Sequence, residues 1–283
     1  MAGLETLYEG LGFFYEPLFM RRAMVALFLL SLAVSGAGVL AVSRRLAFFP
    51  DAIGHSSLAG LALGLLVGLD PKVATLLFGL VLGLMIVFLA KRIKLSADVS
   101  LALVFSGAVA LGLALVSRDP VASGGLARWF MGDVLTTSDQ EIAAILALDL
   151  VAALVFLLFY NQLILSAVFP AGAYGRVFLD YLFGAFLAAV SILAVQAVGA
   201  LLATALLVTP AATARALAVT GRAFFWLALT FSLVAGQLGL WISYQPGVNA
   251  SAGATIVLTG LVFLILASLY RRYRDRPKKV NAN

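Results

Sequence analysis

Asp51 and His55 are the residues of this chain whose types and spacing could do chemistry. They stand at i and i+4 in Pro50-Asp51-Ala52-Ile53-Gly54-His55-Ser56-Ser57. A helix beginning at Pro50 turns both side chains to one face, where they can meet a common ligand. Asp supplies a hard anionic oxygen and His a borderline nitrogen, a pair suited to Zn²⁺ or Mn²⁺ with water or another residue completing the shell. Two ligands alone hold an ion weakly and reversibly, which suits a transit site. Plainer readings stand beside this one. Asp51 can cap its helix against the free N–H groups and the positive dipole end. His55 can hydrogen-bond across helices or to Asp51 itself. It is the only histidine, and the chain has no cysteine, so thiolate ligands, disulfides and cysteine nucleophiles are excluded.

Other polar residues interrupt apolar runs. An ionised carboxylate facing lipid costs about 2.5–3.5 kcal/mol on insertion scales. Asp149, near the centre of Ile142–Tyr160, is therefore expected to face a helix, a cation or a water-filled path. Gln196 and Gln237 read as interhelical hydrogen-bond donors, and Asp180 lies near a span end, within reach of the interface. Pro210, in Leu207-Val208-Thr209-Pro210-Ala211, is expected to bend or break its helix. Phe169-Pro170-Ala171-Gly172-Ala173-Tyr174-Gly175-Arg176 is a turn-rich break that could form a small surface helix against a cytoplasmic partner. No Gly-x-x-x-x-Gly-Lys-Ser/Thr loop is present, so an ATP-driven step needs another chain. No Gly-x-Ser-x-Gly elbow surrounds Ser56 or Ser57, and nothing else suggests an enzyme.

The elements that must position these residues are membrane helices. Of 283 residues, 63% are hydrophobic and 11% charged, and the mean hydropathy is +1.10. Apolar runs long enough to cross a hydrocarbon core of about 30 Å recur between short polar breaks. Lipid cannot satisfy backbone polar groups, so these runs are helical. The spans read as Met24–Val42, Ile53–Leu69, Val73–Leu89, Val99–Val116, Ile142–Tyr160, Phe178–Ala197, Leu201–Ala216, Ala223–Ser243 and Ala254–Leu269. The fold class is an all-α polytopic membrane protein, a helical bundle of about nine crossings, or about eight if 201–216 is a half-helix. The domains are an interfacial N-terminal segment at 1–20, a single membrane domain at 21–270 and a basic cytoplasmic tail at 271–283.

Charge orients the bundle. The tail carries six basic residues against one acid between Arg271 and Lys279 and belongs inside. Nine crossings also put Lys91-Arg92-Ile93-Lys94, Arg44-Arg45, Arg176, Arg215 and Arg222 inside, leaving Arg21-Arg22 outside against the rule. The net charge of +6, much of it in the tail, makes no case for nucleic acid. Gly60, Gly64 and Gly68 form a small-residue strip at four-residue spacing, and Gly79 and Gly83 repeat the pattern.

The stretch from Arg44-Arg45 through Pro50-Asp51-Ala52-Ile53-Gly54-His55 to Gly60 resembles the membrane permease family of bacterial ABC importers for zinc, manganese and related metals. Phe130-Met131-Gly132-Asp133-Val134-Leu135, Val198–Leu202 with Leu207–Arg215, and Pro246–Ala254 match further family patterns in order, over roughly residues 18–270. The resemblance implies a homodimer around a central pathway, two cytoplasmic ATPase subunits and an extracytoplasmic metal-binding lipoprotein, all in the bacterial cytoplasmic membrane. The metal is cargo, with no cofactor bound permanently, and Asp51 and His55 would lie in its pathway or gate. One departure stands out: the region matching the family's ATPase-docking loop, Ser166–Arg176, has no acid. Two alternatives remain: a secondary metal transporter in which Asp149 carries protons, and a structural membrane subunit without transport.

Overall fold

The computed structural model describes residues 17–117, 134–168, 177–245, 247–248 and 250–274. Among them lie nine long helices and no strand: α1 Leu18–Ser43, α2 Phe49–Val67, α3 Pro71–Arg92, α4 Ala97–Val116, α5 Asp139–Val168, α6 Val177–Val198, α7 Ala200–Leu217, α8 Gly221–Ser243 and α9 Ala252–Arg274. A single 3-10 turn, Val134–Thr136, precedes α5. All nine helices are long and apolar enough to cross a membrane. Segment 201–216 is thus a complete helix of the bundle, and the count of nine holds. Most of the segment 1–20, the loop 169–176, residues 130–133 and the tail beyond 274 lie outside the described residues.

Local chemistry sets the helix ends. Asp70 caps α3, accepting from the N–H groups of Lys72 (2.9 Å) and Val73 (3.2 Å), with Pro71 preset in the first turn. Ser138 and Glu141 cap α5 reciprocally. The Ser138 N–H donates to Glu141 Oε2 at 2.8 Å, and the Glu141 N–H donates to Ser138 Oγ at 3.3 Å. Between α6 and α7 stands only Gly199, at φ 86°, a left-handed turn that a side chain would resist. Gly68 corrects the predicted glycine strip: at φ 74° it terminates α2, and a Cβ there would meet nothing within 4 Å. Gly60 and Gly64 do pack, against Phe78, Thr75 and Ala74 of α3. Pro210 does not break its helix: it is buried within a continuous α7, although without an N–H it leaves one bond of the ladder unmade.

The core follows from close approach of small residues. At the α3–α6 crossing a Cβ on Gly83 would lie 2.9 Å from the carbonyl of Gly184 and 2.7 Å from Ala188 Cβ, so the helices meet backbone to backbone. Helix α1 is buried along much of its length and is flanked by α5, α6, α7 and α8. Outer faces carry exposed Leu, Val and Phe such as Leu113, Leu157 and Val262, side chains that lipid solvates and water would not.

Ion pairs gather at the two ends of the bundle. At one, Arg22 of α1 pairs with Asp139, and Lys72 of α3 pairs with Glu141 at 3.1 Å, both acids belonging to the first turn of α5. Arg22, a basic residue at odds with the charge rule in the nine-crossing reading, thus has a carboxylate partner. At the other end, Arg44 and Lys91 converge on Asp180.

Candidate metal site

Helix α2 reaches the site through a five-residue linker, residues 44–48. The linker is a tight helix stop. The Leu46 N–H donates to the Ala41 carbonyl at 2.8 Å and the Arg45 N–H to that of Val42 at 3.3 Å, with Arg45 left-handed at φ 61°. A non-glycine residue there costs about 1–2 kcal/mol, which the surrounding bonds must offset. Phe49 then starts α2, buried at 1% exposure, followed by Pro50 and Asp51.

Asp51 does not cap the helix, for no side-chain cap bond forms at that end. Its carboxylate still benefits from the positive end of the α2 dipole. One turn on, His55 lies beside it as the i,i+4 spacing predicts. Nδ1 is 2.9 Å from the Asp51 carbonyl oxygen and 3.5 Å from Asp51 Oδ1. With the neutral ring donating from Nδ1 to that carbonyl, Nε2 becomes the acceptor nitrogen, the arrangement that suits metal ligation. The His55 ring stands edge-on to Phe105 of α4 at 6.3 Å between centroids. Across from α2, the Thr204 hydroxyl of α7 lies 3.5 Å from Asp51 Oδ1 and donates to the Ala200 carbonyl at 3.0 Å.

These groups line an open cavity of about 440 Å³ between α2 and α7, whose polar side chains are Asp51, His55, Thr204 and Thr209. Ala47, Phe48, Leu201 and Val208 contribute apolar wall. His55 and Asp51 retain 43% and 27% of their side-chain exposure, enough to admit an ion. Among the described residues no third His, Cys, Asp or Glu joins them. One protomer therefore offers a single carboxylate and a single imidazole, below the four ligands zinc ordinarily takes.

The remaining candidates lie elsewhere. Gln196 donates to the Lys72 carbonyl (3.0 Å) and to Thr75 Oγ1 (2.8 Å), joining α6 to α3, and Gln237 donates to the Met24 carbonyl (3.0 Å), joining α8 to α1. Both do the interhelical work expected of them. Asp149 does not line the cavity. It approaches the Ala33 backbone of α1, whose N–H serves that helix's own ladder, and neither buried carboxyl oxygen has a hydrogen-bond partner among the described residues. Thr204 and Thr209 escape a reading by residue type, because an isolated helical threonine carries no periodic or charge signal. Only Thr209, next to Pro210, falls within a stretch that the sequence singled out; Thr204 lies between two such stretches.

Sequence and structure comparisons agree over nearly the whole chain. A profile of the ABC 3 transport family matches residues 16–271. The manganese import system permease protein ScaB of Streptococcus gordonii is 29% identical over 282 residues, spanning 98% of this chain and 99% of that protein. The high-affinity zinc uptake system membrane protein ZnuB of Haemophilus influenzae is 28% identical over 264 residues, spanning 92% of this chain and 99% of that protein. A solved structure of PsaBC from Streptococcus pneumoniae in complex with Fab superposes with a TM-score of 0.77 at 26% identity, covering 95% of this chain and 100% of that chain.

Proposed function

We propose a function from one premise: this chain belongs to the ABC 3 transport family, as a permease subunit of the manganese and zinc importer kind. It forms the membrane-spanning part of an ATP-driven importer that moves zinc or manganese by alternating access. Two copies surround a central pathway, two cytoplasmic ATPase subunits supply the energy, and an extracytoplasmic lipoprotein delivers the ion. The assembly lies in the bacterial cytoplasmic membrane with the C-terminus inside.

One observation carries this reading. Asp51 and His55 share one face of α2 and open together into a cavity walled by α7. An incoming divalent ion exchanges water for the Asp51 carboxylate and His55 Nε2, and Thr204 or water supplies further oxygen. Half a coordination sphere per chain fits a site completed by a second copy. It also fits reversible binding, since a cargo held by a full, rigid cage would not leave. Both metals accept such a mixed donor set, zinc through its affinity for imidazole and manganese through oxygen.

The test is metal uptake by the complete complex reconstituted in liposomes, with ATP inside, for wild type, D51A and H55A. Both variants are expected to lose ATP-dependent accumulation of manganese or zinc at low external metal. Wild-type accumulation in both would remove the assigned role. Uptake driven by a proton gradient without ATPase subunits would favour the secondary-transporter alternative instead.

A further inference from the structure

Three charged residues that the metal site does not use converge at one end of the bundle. Asp180, in the first turn of α6, receives one cation on each oxygen: Arg44 Nη1 at 3.1 Å from Oδ1 and Lys91 Nζ at 2.6 Å from Oδ2. The Arg44 guanidinium also lies 4.1 Å above the ring of Phe183, a buried side chain nearly one turn further along α6. The Arg44 and Asp180 side chains retain 11% and 20% exposure, while Lys91 keeps 45%. Burial works against the charge on Arg44 and lowers its pKa, and the neighbouring carboxylate pulls it back up. A screened surface ion pair contributes little. This one is a shielded fork with a stacked guanidinium, held between three helices.

Its placement gives it work to do. Arg44 ends α1, and the hydrogen-bonded stop at 44–46 leaves little slack before Phe49 begins α2. Asp51 follows two residues later. On the other side, α6 starts at Val177, directly after the stretch 166–176 that corresponds, by family resemblance, to an ATPase-docking loop. We infer that Arg44, Asp180 and Lys91 form an ionic latch that fixes the start of the metal-site helix α2 to the first turn of α6, so that displacement of α6 moves Asp51 and His55. All three are positioning residues. None lines the cavity. The latch's transport role rests on the importer reading above.

Two measurements on the full permease–ATPase complex test it. In proteoliposomes, metal taken up per ATP hydrolysed is compared for wild type, D180N, D180E, K91Q and K91R. D180N is expected to lower this ratio about tenfold, within the range of ordinary site-to-site coupling, and K91Q about threefold by the same reasoning. D180E and K91R, which keep the charges, are expected to restore most of it. A wild-type ratio in D180N and K91Q overturns the latch. So does an equal fall of uptake and hydrolysis in the neutral and the charged variants, the mark of a merely structural role. If D180N does not assemble, the half-exposed Lys91 pair decides on the same terms.

The second measurement needs no transport. The chain has no cysteine, so spin labels can be placed cleanly at exposed Phe48 and Val177 in nanodiscs. With labelled chains diluted by unlabelled copies, wild type and D180E are expected to give one narrow distance between the start of α2 and the start of α6 within a chain, and D180N a broadened or second one. Identical distributions in all three overturn the latch. Absence of ATP-driven uptake in wild type would instead strike the importer reading, and the label distances would still judge the latch.

Discussion

Of the carboxylates carried by the apolar helices of this chain, Asp51 and Asp149 have surroundings that differ in kind. Asp51 lies at a helix start, beside an imidazole and a threonine hydroxyl, on the wall of a 440 Å³ cavity. Asp149 lies in mid-helix against α1, its oxygens buried without hydrogen-bond partners among the described residues. Cost in the membrane therefore does not identify a site, because both residues incur it. A site needs space for a ligand and several groups converging on that space. By those criteria Asp51 is the candidate for a pathway group and Asp149 is not.

The sharpest way to break this contrast is to remove the ligands. D51A and H55A are each expected to lower uptake at limiting metal roughly 100-fold, about 2.8 kcal/mol of lost binding or passage. Radiotracer accumulation in proteoliposomes reads it directly. The double variant should be little worse than either single one, since one ion uses both groups. Additive losses would mean that the two residues act separately.

The next largest effect is on the wall behind Asp51. Gly83 packs against Gly184 and Ala188, and a Cβ there would also lie 3.5 Å from the Phe49 ring at the start of α2. Gly83→Val forces α3 and α6 apart, at a cost of roughly 1–3 kcal/mol or more. The expected outcome is a lower melting temperature of the solubilised complex and less of it in the membrane. The same change at Gly107, whose Cβ would meet nothing within 4 Å, should leave both unaltered. Equal tolerance at the two positions would undo the packing account.

The fold was legible because membrane helices are written in composition. Apolar runs mark the elements, while the Asp70–Pro71 and Ser138–Glu141 caps, which the spans read from Val73 and Ile142 passed over, set where two of the helices begin. Even Leu201–Ala216, doubtful because only Val198-Gly199-Ala200 separates it from its predecessor, is a full helix, since one left-handed glycine makes the turn. The Asp51/His55 half of the site was legible because it falls within one helical turn. What could not be read is whatever needs two distant segments: Thr204 opposite Asp51, or Asp180 between Arg44 and Lys91. Gly68 misled because four-residue spacing is shared by packing strips and by a helix that simply stops.

Thr204 sharpens the comparison at smaller scale, since it is the group of α7 that approaches Asp51. T204V keeps the shape and removes the hydroxyl, and is expected to raise the metal concentration for half-maximal uptake about fivefold, less than the 10–100-fold typical of partners bonded directly to a ligand. The 3.5 Å separation argues for the smaller figure. T204S should recover most of the loss. No change in T204V would leave Asp51 without help from α7.

The smallest effect on transport is expected at Asp149, and there the sign on stability reverses. Its carboxyl oxygens are buried and unpartnered, so replacing the group with an apolar side chain removes a desolvation penalty of about 1–3 kcal/mol. Asp149→Leu should therefore raise the melting temperature of the complex by a few degrees, roughly 2–4 °C per kcal/mol for a chain of this size. Uptake per ATP should stay within about twofold, as for other changes remote from the binding groups. A carboxylate that relays protons or meets the cargo would behave oppositely, with D149L as damaging as D51A and D149E partly restoring activity. That result would place Asp149 on the pathway, and the distinction between the two acids would have to be drawn from motion between states and not from the cavity in this one.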